Sequence, residues 1–331
     1  MQIYEQLFKG RNVLVTGGLG FIGSNLCIKL VDLGAKVTIL DALIQDHGAN
    51  KYNIEPVKNA VEIIDSDIRN EEMMNNVVKN KQFIFHLAGQ NDHVVSLTNP
   101  FPDIDINIKG SAVLLEACKK NNKEAKVIYT GTRGEYGAAT KLPVNEETPL
   151  NPKGIYELSS LTAQKMFKIY NDNHGIKTVT LRLTNIYGER AQMRHSRFGV
   201  ANWFIRIALD NGAIKVFGDG KIKRDFVYVS DVVEAILLSA INDKALGEVF
   251  NIGSDKPSCF LELAETIISV AGKGRWEFAP FSPERAAQEP GDFYSDITKA
   301  KKILGWEPKV SLINGLKNTL EYYKSNRKHY W

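Results

Sequence analysis

Three glycines near the amino end, Gly17, Gly20 and Gly23, have the spacing at which a backbone can approach phosphate groups. They follow the apolar run VLVT and precede an amphipathic segment, which predicts a strand, a tight turn and the start of a helix. Gly17 permits the turn, Gly20 admits a pyrophosphate, and Gly23 lets helix and strand pack closely. The amino end of that helix, with Phe21 and Ile22, then faces the phosphates. The pattern favours a dinucleotide site, although a purely structural turn can use the same glycines.

The second predicted strand ends in Asp41, whose carboxylate can accept hydrogen bonds from both hydroxyls of an adenosine ribose. The next residues, Ala42 and Leu43, offer no cation for a 2′-phosphate, which favours NAD over NADP. Asp67 and Ile68 follow the third predicted strand and are candidates for an adenine contact. A turn-capping aspartate is the alternative interpretation of Asp67. We therefore expect NAD as the cofactor.

The elements that position these residues alternate between apolar, β-branched runs and helix-length amphipathic segments. This alternation predicts an α/β fold with a doubly wound parallel sheet, the Rossmann architecture. The predicted strands are Asn12–Thr16, Lys36–Leu40, Val61–Ile64, Gln82–Leu87, Lys126–Thr130 and Thr178–Leu183. The predicted helices are Ser24–Leu33, Ile106–Lys120 and Ile155–Asn171.

Beyond residue 184 the alternation gives way to closely spaced turn signals such as DNG and GDG. We expect residues 1–184 to form mainly an NAD-binding Rossmann domain. Residues 185–331 should form mainly a smaller mixed α/β substrate lobe, with some segments returning to the first domain. The cleft between the lobes is the expected ligand site.

The composition excludes several classes of protein. A net charge of +4, with 24% charged residues, is too small to indicate nucleic-acid binding. Cys27, Cys118 and Cys259 are far apart and lack histidines at ligand spacing, so we expect neither disulfides nor a metal site. No signal-peptide pattern and no apolar run of membrane-spanning length is visible, which predicts a cytoplasmic protein without a membrane partner.

Six segments occur in the order and approximate spacing found in one known family. They are TGGLGFIG, HLAGQ, TGTRGEYG, the helix around Tyr156, LRLTNIYG and RDFVYVSDV. Together they resemble the extended short-chain dehydrogenase/reductase family, and most closely its nucleotide-sugar epimerase and dehydratase branch. The resemblance extends from Asn12 to the segment LGWEP near the carboxyl end.

The resemblance implies roles for two hydroxyl residues. Thr132 matches the residue that hydrogen-bonds the sugar oxygen being oxidised, and Tyr156 matches the catalytic tyrosine, which as tyrosinate takes the hydroxyl proton. Oxidation of a carbinol needs such a base beside the O–H bond and a hydride acceptor facing the C–H bond. Leu87, Ala88 and Gly89 match the segment beneath the cofactor. Tyr156 as a packing residue is the alternative.

The family pattern is Y-x-x-x-K, but Ser160 stands in place of the lysine. That lysine would hydrogen-bond the nicotinamide ribose, and its charge would lower the pKa of Tyr156 from about 10 towards neutrality. Lys165 lies too far along the helix to substitute without distortion. We therefore include Ser160 in the catalytic set and expect Ser160→Lys to lower the apparent pKa of sugar oxidation. An unchanged pH–rate profile would reject that role.

A second departure follows Thr132. Sugar-nucleotide 4,6-dehydratases carry Asp-Glu at that point, whereas this chain has Arg133 and Gly134, so elimination lacks its usual acid and base. Glu135 comes one position later and would point to the opposite face of an extended segment. Arg133 is either a solvated loop cation or a contact to the substrate.

The resemblance also implies a nucleotide diphospho-sugar substrate. Asn185 matches a diphosphate contact, and Arg224 matches the arginine that clamps the diphosphate with its planar fork. Arg285 and Asp292 match positions near the phosphate and the nucleotide ribose. The segment ERAQMRHSRFG is either a further diphosphate contact or a solvated loop, and its cations are Arg190, Arg194, His195 and Arg197. These residues do not select the base.

The interpretation favoured by these residues is an NAD-dependent epimerase of carbohydrate biosynthesis, which oxidises a sugar hydroxyl, commonly at C4, and returns the hydride. A 4-dehydrogenase, a dehydratase and a non-catalytic ligand-binding homologue are the alternatives. In many relatives the helices that correspond to Ile106–Lys120 and Ile155–Asn171 form a dimer interface, so the resemblance implies a homodimer. Sequence alone does not distinguish a dimer face from a buried one.

Overall fold

Seven strands form a parallel sheet in the centre of the protein. A computed structural model describes residues 6–45, 47–281, 286 and 289–331, with the side chain of Val94 excluded. The thirteen strands of the described residues, inside and outside this sheet, are β1 (Asn12–Thr16), β2 (Lys36–Asp41), β3 (Val61–Asp65), β4 (Phe83–His86), β5 (Lys126–Thr132), β6 (Thr178–Leu183), β7 (Asn185–Tyr187), β8 (Ala213–Phe217), β9 (Lys223–Arg224), β10 (Phe226–Tyr228), β11 (Val249–Ile252), β12 (Ser258–Cys259) and β13 (Arg275–Ala279). The sheet has the order β11-β6-β5-β4-β1-β2-β3, which is the doubly wound Rossmann order. The predicted fold class is confirmed.

Helices cover both faces of this sheet, and others pack beside it. The labelled helices are α1 (Phe21–Asp32), α2 (Glu71–Val77), α3 (His93–Thr98), α4 (Ser111–Asn121), α5 (Ile155–His174), α6 (Val200–Leu209), α7 (Val229–Ile241), α8 (Phe260–Ala271) and α9 (Leu312–Asn326). A π-helical segment, Asp103–Gly110, leads into α4, and a second one spans Ala300–Leu304. Short 3-10 helices span Lys51–Val57, Arg133–Tyr136, Asp243–Ala245 and Arg327–His329. Within the described part of the chain, no helix is long and apolar enough to cross a membrane.

Apolar residues on both faces of β1 explain why the sheet is covered on both sides. Val13 and Val15 belong to the core under α1 and α7, whereas Leu14 belongs to the core under α4 and α5. The strand order reverses between β1 and β4, which both pair with parallel neighbours. Ligands bind at such a switch point, outside the carboxyl ends of the strands.

The sequence placed β1 and β6 at their observed bounds, but two features were not predicted. The predicted helix Ile106–Lys120 begins earlier, as the π-helical segment at Asp103. Some segments after residue 184 were expected to return to the first domain, but the strand β11, which pairs with β6 at the edge of the sheet, was not itself predicted. A further apolar core, separate from the two on the faces of the sheet, forms where α6, α8 and α9 pack on the parallel pair β8 and β13.

Candidate active site

A cleft of about 1030 Å³ lies at the carboxyl ends of the parallel strands. It is lined by most of the residues predicted for the site: Gly17, Gly20, Phe21, Ile22, Gly23, Asp41, Asp67, Ile68, Leu87, Ala88, Gly89, Thr132, Arg133, Tyr156, Ser160, Asn185 and Arg224. Among the described residues, no group of three or more His, Cys, Asp or Glu side chains is placed to hold a metal ion.

The glycine turn packs too closely against neighbouring backbone for any side chain. A Cβ at Gly17, where φ is +72°, would lie 2.8 Å from the backbone nitrogen of Ala88, and a Cβ at Gly23 would overlap the carbonyl oxygen of Gly17. Gly20 precedes α1 without a side-chain cap, so the first-turn amides can face an anion. These features fit the pyrophosphate of a dinucleotide.

Asp41 is held at the end of β2 by two backbone amides. Its carboxylate accepts hydrogen bonds from the nitrogens of Leu19 at 3.0 Å and Leu43 at 3.0 Å, and burial raises its pKa. These bonds orient the carboxylate at the edge of the cleft, where a ribose would lie. Asp67 makes an ion pair with Arg69 at 2.7 Å and accepts a hydrogen bond from the Arg69 nitrogen at 2.8 Å. That is the turn-capping geometry, in a residue that also lines the cleft.

Thr132 and Tyr156 come together across the cleft. Burial raises the pKa of Tyr156 far above its usual value, whereas contact with the Thr132 hydroxyl opposes this rise. The carboxylates of Glu157, Glu135 and Asp103 raise the pKa further. The phenol of Tyr156 is therefore harder to deprotonate than that of a solvent-exposed tyrosine.

The side chain of Ser160 contacts the carboxylate of Glu135. The segment Arg133–Tyr136 is a 3-10 helix, so the extended backbone on which the predicted orientation of Glu135 depended is not present. Glu135 is nevertheless absent from the cleft lining. The Glu135 carboxylate accepts hydrogen bonds from the Ser160 hydroxyl at 3.0 Å and from the Thr132 nitrogen at 3.2 Å. It also makes an ion pair with Arg182 at 3.1 Å.

The charge beside position 160 is therefore negative, whereas the lysine of the family pattern would make it positive. Glu135 and Arg182 are almost fully buried, at 0% and 4% exposure. Gly131 makes room for the carboxylate, because a Cβ there would lie 2.5 Å from its oxygen. The lysine in the family pattern would place a positive charge beside Ser160, whereas here a carboxylate bonds to its hydroxyl. The only sequence sign of this network was an acidic residue inside TGTRGEYG.

Two arginines approach each other at the substrate end of the cleft. Arg224 is buried and pairs with Glu289, and its guanidinium lies 5.5 Å from the ring centre of Phe260. Burial and the neighbouring charge of Arg224 lower the pKa of Arg133 to about 10, so Arg133 remains cationic at neutral pH. Such a pair suits a ligand with two negative charges. Glu289 was not predicted to belong to the site.

Other predicted substrate contacts differ in their placement. Asn185 lines the cleft, but its amide donates to the Asp225 carbonyl oxygen at 3.1 Å. Asp292 is exposed outside the cleft lining and accepts a hydrogen bond from the Lys223 nitrogen at 2.9 Å. Arg285 lies outside the described residues.

The segment ERAQMRHSRFG contributes one arginine to the cleft. Arg197 lines it and pairs with Asp92 at 3.0 Å. Arg190 instead bonds to the side chain of Asn25 at 2.9 Å, and Arg194 and His195 line a separate small pocket.

Sequence comparison identifies the family. The model of the NAD dependent epimerase/dehydratase family matches residues 13–253. The chain belongs to this family. The family is NAD-dependent, which confirms both the predicted resemblance and the predicted cofactor.

The relatives cover almost the whole chain but carry out different reactions. A putative UDP-glucose 4-epimerase of Methanocaldococcus jannaschii is 36% identical over 96% of this chain and 99% of its own. A dTDP-glucose 4,6-dehydratase of Streptomyces niveus is 30% identical over 95% of this chain and 93% of its own. The crystal structure of the UDP-glucose 4-epimerase of Thermotoga maritima with UDP-glucose is 33% identical, covers 96% of this chain and 99% of its own, and has a TM-score of 0.86. The chain is therefore a member of a nucleotide-sugar enzyme family.

Proposed function

We propose that the protein is an NAD-dependent epimerase that inverts a hydroxyl-bearing carbon, C4, of a nucleoside diphosphate sugar. The supporting observation is that Thr132 and Tyr156 meet in one cleft between the glycine turn and the Arg133–Arg224 pair. The glycine turn would hold the cofactor, the arginines would hold the diphosphate, and the two hydroxyl groups would hold the sugar. UDP-glucose is the first substrate to test, because two of the relatives above are named as UDP-glucose 4-epimerases.

The residues divide the reaction into binding and positioning steps. Bound NAD supplies the acceptor, and later the donor, of the hydride at the sugar carbon. Thr132 and Tyr156 would hold the sugar hydroxyl, which would orient the C–H bond of the carbon that bears it for hydride transfer. Asp41 and the glycine turn fix the cofactor, and Arg224 fixes the diphosphate. Inversion then requires the sugar ring to present its opposite face before the hydride returns.

Dehydration is disfavoured by the residues after Thr132. Arg133 and Gly134 occupy the positions of the acid and base. Glu135 cannot replace them, because its carboxylate is turned towards Ser160 and Arg182. A 4-dehydrogenase would use the same site with an external oxidant, and a binding protein would need no turnover.

One experiment separates these reactions. The full chain is incubated with NAD and either UDP-glucose or, in a parallel sample, dTDP-glucose in deuterated water, and the products are followed by NMR. We expect inversion at C4 without solvent deuterium at that carbon. Deuterium at a deoxygenated carbon would indicate dehydration, an accumulating ketosugar would indicate net oxidation, and unchanged UDP-glucose and dTDP-glucose would contradict an enzymatic function on these sugars.

Ser160→Lys is expected to lower the pKa of Tyr156 because it adds a positive charge beside the phenol. Glu135 would neutralise much of that charge, so the single variant should show a small change. The double variant Ser160→Lys with Glu135→Gln should lower the pKa by about one unit, equivalent to about 1.4 kcal/mol. NMR titration with ¹³C-labelled tyrosine measures this, and Tyr156→Phe assigns the signal. Equal titration curves in all variants would show that this position does not act on Tyr156.

We propose that the chain forms a homodimer through an apolar helix patch, whose exposed residues are Leu97, Phe101, Ile104, Ile155, Leu158 and Ile169. Phe101 is 70% exposed, and the six residues lie on or beside α3, the π-helical segment and α5, which pack against one another. Exposed apolar side chains grouped on neighbouring elements mark interaction surfaces. Leu158→Glu is expected to convert a dimer to a monomer in sedimentation experiments, because it places a charge in the centre of the proposed interface, which the dimer would bury. Ile313→Glu, an exposed position on α9, is the matched control. A monomeric wild-type chain would contradict the proposal.

A further inference from the structure

The strand order of the central sheet sets the direction in which a bound dinucleotide would lie. The order β5-β4-β1-β2 puts the glycine turn between Asp41, at the end of β2, and Thr132, at the end of β5. Because Asp41 would serve the adenosine ribose and the glycine turn the pyrophosphate, the nicotinamide half would extend over the ends of β4 and β5. This end of the cleft is lined by Ala88, Gly89, Gly131, Thr132, Tyr156 and Ser160.

Glu135 lies directly behind this part of the lining. Its carboxylate oxygen Oε1 accepts hydrogen bonds from the Ser160 hydroxyl at 3.0 Å and from the Thr132 nitrogen at 3.2 Å, and both donor residues line the cleft. The other oxygen, Oε2, accepts a hydrogen bond from Nε of Arg182 at 3.1 Å. Glu135 and Arg182 do not themselves line the cleft. The carboxylate therefore stands between its buried cation and the cleft.

The groups that bond to Glu135 suit an ionised carboxylate. A backbone amide, a hydroxyl and a guanidinium all donate to it, and an ionised carboxylate is purely an acceptor. Burial raises the pKa of Glu135, and these three donors oppose that rise. Its charge also acts beyond its hydrogen-bonding partners, because it raises the pKa of Tyr156. The field of this carboxylate thus reaches a side chain in the cleft wall.

The other charged groups near Tyr156 do not restore the positive charge of the family's lysine. Glu157 and Asp103 are carboxylates, and both raise the pKa of Tyr156 further. Arg133 is a cation in the cleft lining, but it stands with the arginine pair at the substrate end. Among the described residues, the Ser160 hydroxyl bonds to a carboxylate and a phenol and to no cation.

We propose that Glu135, placed behind Ser160, makes the site bind the oxidised cofactor more tightly than the reduced cofactor. The oxidised nicotinamide ring carries one positive charge, and it becomes neutral when it takes a hydride, which is two electrons and a proton, from a sugar carbon. A carboxylate behind the ring stabilises the charged form and acts little on the neutral form. Glu135 touches neither substrate nor cofactor, and it lowers the reduction potential of the bound NAD⁺/NADH couple.

A lower reduction potential makes the reduced ring a stronger hydride donor. The equilibrium on the protein then lies towards the sugar alcohol with oxidised cofactor, and less ketone with reduced cofactor is present at any moment. This preference is a property of cofactor binding and does not depend on which nucleotide sugar the protein accepts. Failure of the protein to convert UDP-glucose would therefore leave it open to measurement.

The first test measures the ratio of the dissociation constants of NADH and NAD⁺ for the full chain, by competition followed through the fluorescence of bound NADH. In Glu135→Gln this ratio is expected to fall about tenfold, which raises the reduction potential of the bound couple by about 30 mV. Glu124→Gln is the matched control, because it neutralises an exposed carboxylate paired with Lys177 and should leave the ratio unchanged. A merely structural role of Glu135 would weaken both forms together. An unchanged or higher ratio in Glu135→Gln would overturn the proposal.

The second test needs no variant and remains available if Glu135→Gln does not fold. The wild-type chain is titrated with NAD⁺ and with tetrahydronicotinamide adenine dinucleotide, a neutral analogue of NADH that does not transfer hydride. We expect NAD⁺ to bind about tenfold more tightly than this analogue, because the two rings differ in charge. Equal or tighter binding of the analogue would overturn the proposal.

A third comparison extends the charge series. Ser160→Lys combined with Glu135→Gln adds a cation where the wild type has a carboxylate, so its NADH-to-NAD⁺ ratio should fall below that of Glu135→Gln alone. A ratio in the double variant equal to that of wild type would contradict an electrostatic effect at this position.

Discussion

Glu135→Ala is expected to lower the free energy of unfolding by about 3–5 kcal/mol, the usual cost of removing one partner of a buried ion pair. The variant leaves the Arg182 guanidinium buried without its carboxylate. The neutral partners of Arg182 remain, namely the side chain of Gln164 at 2.8 Å and the hydroxyl of Tyr136 at 2.6 Å. They accept hydrogen bonds but do not balance the charge.

Urea unfolding measures this difference, and two further variants sharpen it. Glu135→Gln keeps the volume and one acceptor oxygen, so it should be less destabilising than alanine. Glu124→Ala removes a carboxylate from an exposed pair with Lys177 and should change stability by less than about 1 kcal/mol. A loss below about 1 kcal/mol for Glu135→Ala would mean that the ion pair does not stabilise the fold.

Arg224→Ala is expected to weaken binding of UDP-glucose about 100-fold, equivalent to about 2.7 kcal/mol. Truncating a buried, hydrogen-bonded charge at a ligand commonly has an effect of this size. Arg224→Lys should recover part of the affinity, because it keeps the charge but loses the planar fork. Isothermal titration calorimetry measures both.

Glu289 provides the matched variant for this prediction. It is the carboxylate partner of Arg224, and a diphosphate would have to compete with it. Glu289→Gln should therefore bind UDP-glucose at least as tightly as the wild type. NAD affinity should not change in any of these variants, since the glycine turn is remote from Arg224. Unchanged UDP-glucose affinity in Arg224→Ala would remove this residue from the substrate site.

The sequence predicted features that depend on local pattern. The glycine spacing and the position of Asp41 predicted a dinucleotide turn at the end of β1, and the structure shows the cradle there. The strands of the central sheet were visible because buried parallel strands are continuous apolar runs. β11 was missed, since its pairing with β6 depends on a distant part of the chain.

The charged interior of the site was not predictable in the same way. The orientation of Glu135 depends on one turn of 3-10 helix and on the partner Arg182, which lies 47 positions away in sequence. The pairing of His93 with Glu157 joins two elements 64 positions apart, which no local pattern reports. A missing lysine was visible in the sequence, but the groups that surround its position were not.

The return of β11 to the central sheet limits how far the cleft can open. The segment between β6 and β11 lies outside the sheet and contributes Arg197 and Arg224 to one wall of the cleft. The chain then returns to the sheet as β11. Backbone hydrogen bonds between β11 and β6 tie that wall to the floor of the cleft, so a wide hinge movement would have to break a sheet edge. The proposed epimerase reaction would gain from this restraint, because its ketone intermediate must be reduced again before it leaves. We expect it to slow escape of the half-reacted sugar relative to the returning hydride.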